Sequence, residues 1–155
     1  MIQRKQTLFL LLAIIAYAVC LFLPIASLMP KTMGAETLIY NLGWVGDGGI
    51  KMSNTFLPLF IDLVVCVALA LVTIFKYKNR KVQMSLCSIT MLFGLLWYVD
   101  YVLIYLGVIP IAEVEGAMEV KFAACLPFIS IILVAMAKKG INDDEKLVKA
   151  ADRIR

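Results

Sequence analysis

An all-α membrane protein, built as an antiparallel bundle of four transmembrane helices, is the fold class the sequence predicts, and three observations predict it. The composition is shifted toward lipid: 63% of the 155 residues are hydrophobic and 17% charged, against about 45–50% and about 25% in soluble domains. Four apolar stretches are each long enough to cross a hydrocarbon layer of roughly 30 Å at about 1.5 Å per residue. Lysine and arginine collect beside alternate ends of those stretches, as topology signals do.

The first stretch, 7–29, carries no charge. It exceeds the roughly 7–15 apolar residues of a signal peptide and no small-x-small cleavage site follows it. Tyr17-Ala18-Val19 before Cys20 also suits lipoprotein processing poorly, so the segment reads as a retained helix. The second, third and fourth spans read as 55–75, 82–107 and 118–137, the last opening with Glu119 and Lys121 near its outer end. Pro58 falls in a first turn, where a missing N–H is harmless, whereas Pro24 and Pro127 lie deeper and predict kinks.

Arg4 and Lys5 precede the first span, Lys76, Lys78, Arg80 and Lys81 fill the link between the second and third, and Lys138, Lys139, Lys146, Lys149, Arg153 and Arg155 follow the fourth. The other side holds Lys31, Lys51 and Lys121. Both termini and the middle link are therefore expected in the cytoplasm. The short links between spans two and three, and between three and four, make those helices antiparallel neighbours.

The outer loop, 30–54, pairs the β-favouring Thr37-Leu38-Ile39-Tyr40 with glycines around Trp44 and Asp47, which predicts a small β-hairpin turning at Asp47-Gly48. The four cysteines, Cys20, Cys66, Cys87 and Cys125, fall one per span. Cys87 lies near the cytoplasmic end of its helix and Cys125 near the outer end of its own, so they cannot share one ion and read as small apolar packing residues. After Gly140 the chain turns polar. Asn142 as N-cap, Glu145 with Lys149, and Leu147 and Ile154 on one face predict a short cytoplasmic amphipathic helix. The chain thus divides into a transmembrane domain, 1–139, and a tail, 140–155, and truncation after Lys139 is expected to leave the bundle inserted.

Histidine is absent, which removes the commonest general base and metal ligand together. No catalytic, metal or nucleotide motif appears, so neither an enzyme nor a cofactor is expected. The net charge of +4 sits beside apolar segments rather than on one polar surface, which argues against nucleic acid. Asp62 and Asp100 are the ionisable residues well inside the spans, at about the same depth. Each needs a donor or its proton. Tyr98, Tyr101, Tyr105 and Lys121 are the donors the sequence offers. Arg4, Lys78, Arg80 and Lys81, with Leu147 and Ile154 on the tail, form a second candidate surface for anionic lipid or a protein partner. The expectation is a non-enzymatic structural or partner-binding membrane component. The alternative is a small transporter or proton-linked pore using Asp62 and Asp100.

Three blocks carry a resemblance: the opening Met1-Ile2-Gln3-Arg4-Lys5-Gln6-Thr7-Leu8, the middle Lys78-Asn79-Arg80-Lys81-Val82-Gln83, and the closing run from Asp144 through Arg155. Taken together and in order, they resemble an uncharacterised family of small four-span bacterial inner-membrane proteins, classed as a domain of unknown function. The resemblance implies a bacterial inner membrane and one intact domain, and it carries over no catalytic residue.

Overall fold

The computed structural model describes residues 3–30, 36–46, 49–108 and 116–152. Four helices dominate: α1 (Gln3–Phe22), α2 (Leu57–Phe75), α3 (Arg80–Tyr105) and α4 (Leu126–Asp152). All four are long and apolar enough to cross a membrane. α1 packs against α2 and α4, and α3 against α2 and α4. Their outward faces are as apolar as the inward ones. Leu92, Leu95, Phe128 and Ile132 are exposed, the all-round hydrophobicity of helices solvated by lipid rather than water.

Local chemistry sets the helix ends. Pro58 sits in the first turn of α2, where an N–H would be orphaned anyway. Asn79 caps α3, its side chain accepting from the Val82 N–H. At the far end of α3, Gly107 has φ +71°, its N–H donates to the Ile104 carbonyl, and Val108 N–H donates to Leu103. This is a Schellman stop, and the left-handed φ requires glycine. In mid-helix, Gly94 gives close passage: a Cβ there would lie 2.9 Å from the Tyr17 hydroxyl and 2.9 Å from Ile131 Cγ1.

The all-α expectation needs correction, because a five-stranded antiparallel sheet covers one end of the helices. Its strands are β1 (Ala26–Pro30), β2 (Thr37–Tyr40), β3 (Gly43–Gly46), β4 (Gly49–Met52) and β5 (Gly116–Val120), in spatial order β4-β3-β2-β1-β5. The expected hairpin is present as β3 and β4, and its turn residues Asp47 and Gly48 lie outside the described residues. β1 and β5 were read as helix. Pro24 stops α1 at Phe22 rather than kinking it, and Pro30 favours extended backbone before it. The fourth span likewise starts late: Met118–Val120 is strand, Phe122–Cys125 a 3-10 turn, and α4 begins at Leu126. Pro127 therefore lies in a first turn. Buried Ala26, Leu28 and Ile39 join Tyr17, Leu59, Leu63 and Trp97 in one core cluster, which seats the sheet on the helices.

The tail is not a separate helix. α4 continues through Gly140 without a break, so Asn142 caps nothing. Gly140 is there for contact: a Cβ on it would lie 3.0 Å from Gln6 Cγ of α1. Ile141 is 1% exposed and belongs to a second core cluster with Leu10, Ala13, Cys87, Val134 and Ala137.

Candidate functional site

Polar groups gather in three places. The first lies beneath the sheet and begins with the two prolines. Pro24 has no N–H for the carbonyl four residues back, that of Cys20, and Pro127 leaves the Ala123 carbonyl in the same state. Both vacancies are filled by side chains. Asn41, buried after β2, donates through Nδ2 to the Cys20 carbonyl at 2.7 Å, and the Cys20 thiol donates to the Ala123 carbonyl at 3.4 Å. Asn41 Oδ1 accepts from the Trp97 indole N–H at 3.0 Å. Trp97 in turn stacks on Tyr101, centroids 5.2 Å apart.

The Tyr98 hydroxyl completes the opening of α4. It donates to the Ala124 carbonyl at 2.7 Å and accepts from the Phe128 N–H at 2.9 Å, standing between two groups that would bond directly in a regular helix. Sequence reading missed this cluster. Its signal was available: a proline inside an apolar run orphans a named carbonyl, and a lone asparagine near a buried tryptophan is a candidate donor.

The second place holds Asp62 and Asp100. α2 and α3 bring them close enough to interact electrostatically, and both are half-buried. Among the described residues neither has a hydrogen bond or an ion pair. Of the donors offered by the sequence, Tyr98, Tyr101 and Lys121 are engaged elsewhere, and Tyr105 is exposed. Tyr101 donates to the Ile25 carbonyl at 3.3 Å. Lys121 pairs with Glu36 at 2.6 Å, and its backbone N–H also donates to Ile25. The Lys121 ammonium, hydrogen-bonded beside it, holds the Glu36 carboxyl below its usual range, and Glu36 raises Lys121 in return.

The third place is the opposite, basic end. Asp144 of α4 is buried and its carboxylate accepts from the Gln6 amide. Arg80 Nη1 donates to the Asp144 carbonyl at 2.9 Å. Gln83 donates to the Thr73 carbonyl at 3.1 Å, an orphan of the last turn of α2. Arg80 is thus turned inward, apart from the exposed Lys78 and Lys81 with which it was grouped. Leu147 is 61% exposed, whereas Ile154 and the Arg4 side chain lie outside the described residues. Among the described residues no three His, Cys, Asp or Glu side chains are grouped to hold a metal.

The architecture is that of a protein with four membrane-length apolar helices, closed at one end by a small sheet and fastened at both ends by buried hydrogen bonds. Residues 2–154 match the family described as Domain of unknown function (DUF4293), and the chain belongs to that family. No curated protein and no solved structure matches it.

Proposed function

We propose that the chain is a four-span bundle of the bacterial inner membrane, with its basic end in the cytoplasm, that works without catalysis by binding a protein partner at that end. One observation carries the reading. α4 holds itself in place through Ile141 and Asp144 and then continues to Asp152 with Leu147 and Val148 exposed beside Lys146 and Lys149. Apolar side chains on a helix that has left the lipid are a contact surface. The charge distribution supports the orientation, since Lys76, Lys78, Lys81, Lys138 and Lys139 lie at the basic end.

Two measurements test it. With the four native cysteines replaced by serine, Asn79→Cys should react with an impermeant maleimide from the cytoplasm only and Glu119→Cys from outside only. A photo-crosslinking residue at Leu147 should give one discrete adduct in cells, and the same residue at Leu92 should give none. Labelling of both cysteines from one side would end the topology; absence of the Leu147 adduct would end the partner surface.

The adjacency of Asp62 and Asp100, unpaired among the described residues, favours a second reading, a proton- or cation-linked carrier. Reconstituted vesicles should then show flux that the Asp62→Asn/Asp100→Asn double variant abolishes. Vesicles of the wild type that stay tight would remove this reading.

A further inference from the structure

We propose that the link between α2 and α3 is a binding site for the headgroup of an anionic phospholipid, held by Lys76, Lys78 and Lys81. The inference rests on the four-span reading above, and it separates these lysines from the surface offered by α4. The cations of the tail and of the α2–α3 link differ in what they meet. Arg80 is committed to the Asp144 carbonyl, Lys146 lies 3.9 Å from Asp143, and Lys149 bonds Glu145 at 2.8 Å. Lys76, Lys78 and Lys81 are exposed and, among the described residues, their side chains form no hydrogen bond or ion pair. No acid occurs between Lys76 and Lys81. Glu145, electrostatically close to Lys81 and Arg80, is already taken by Lys149. The turn therefore carries uncommitted positive charge with no acid beside it in sequence, and its complement is an anion.

Depth decides which anion. Phe75 and Tyr77, which alternate with Lys76 and Lys78, are 76% and 55% exposed. They end a span of membrane length, where aromatic side chains sit at the level of the headgroups and lysine stems reach outward past them. An acidic protein segment would have to enter the headgroup layer to reach Lys76, whereas a lipid phosphate is already there. A phosphate with no cation in its own headgroup, as in phosphatidylglycerol, answers the ammonium groups better than that of a zwitterionic lipid, whose own cation competes.

The experiment is native mass spectrometry of the protein released from nanodiscs of equimolar phosphatidylglycerol and phosphatidylcholine. The wild type should retain phosphatidylglycerol in excess. That excess should fall on the order of fivefold for each lysine changed to glutamine, the ratio expected for one cation at an anionic surface, and should vanish in K76Q/K78Q/K81Q. Lys51→Gln at the sheet end should change nothing, and Arg80→Gln should keep the preference while lowering stability. High salt should erase the wild-type preference independently of any variant. An inserted wild type with no preference, or a triple variant that keeps it, overturns the lipid site alone. Failure to enter nanodiscs would overturn the four-span reading with it.

Discussion

Asn41 is the residue on which the sheet end turns, and replacing it with leucine tests that directly. The change keeps the branched side-chain skeleton but strands two buried groups at once, the Cys20 carbonyl and the Trp97 indole N–H, which Asn41 meets at 2.7 Å and 3.0 Å. A buried polar group left without a partner costs about 1–3 kcal/mol, so Asn41→Leu should destabilise the protein by about 2–6 kcal/mol. Titration with SDS in mixed micelles, followed by tryptophan fluorescence, reads that loss. Trp97→Phe provides the second side of a double-mutant cycle. In the wild type it strands Asn41 Oδ1, whereas in the Asn41→Leu background it removes a donor already stranded, so its penalty should shrink by at least about 1 kcal/mol. An Asn41→Leu protein within about 0.5 kcal/mol of the wild type, or strictly additive effects in the cycle, would refute the linkage.

Gly94→Ala drives a Cβ to 2.9 Å from both the Tyr17 hydroxyl and Ile131 and should cost about 1–3 kcal/mol as overpacking; Tyr17→Phe should recover part of it in the same titration. Ending the chain after Lys139 removes buried Ile141 and Asp144 and should cost on the order of 2–5 kcal/mol, contrary to a separable tail, while ending it after Lys146 should leave stability near the wild-type value. The Glu36–Lys121 pair sets a pH window. Glu36 is held below its ordinary value of 4.5, so its contribution is present above that value and lost as pH falls through the folded-state value. Lys121 is held above 10.5, so its contribution is present below that value and lost as pH rises through the folded one. The stability difference between wild type and Glu36→Gln should therefore be flat between these limits and vanish in acid; a difference that survives full protonation of Glu36 would contradict the pairing.

The helices were legible because length, apolarity and punctuation are local. Pro58 and the glycine at 107 mark the ends of α2 and α3, and Thr37–Tyr40 is a strand by its residue types alone. β1 was not legible as strand, because an apolar strand and an apolar helix segment share one hydropathy, and one of its two partners, β5, follows only after α3. The proline bracket at Pro24 and Pro30 was the local clue. Gly140 misled for a related reason. It resembles a helix stop, yet it lies in mid-helix at the close approach of Gln6, a contact that only the packing of α1 on α4 creates. Tyr98 and Tyr101 answer backbone carbonyls, at Ala124 and Ile25, and the Lys121 ammonium answers Glu36, partners for which no span-by-span reading gives a signal.

The contact between Cys20 and the Ala123 carbonyl joins residues 103 positions apart, and β5 pairs with β1 across most of the same stretch, from Ala26 with Val120 to Pro30 with Gly116. A ribosome adding about 5–20 residues per second takes about 5–20 seconds to make that stretch. Throughout it, the first helix and β1 exist without β5, with one sheet edge open and the end of α1 unfinished. Asn41 arrives early enough to cover the carbonyl that Pro24 leaves bare. The thiol and the edge of β1 wait for the last strand of the chain, so closure of the sheet end follows the synthesis of the first three helices and precedes that of α4.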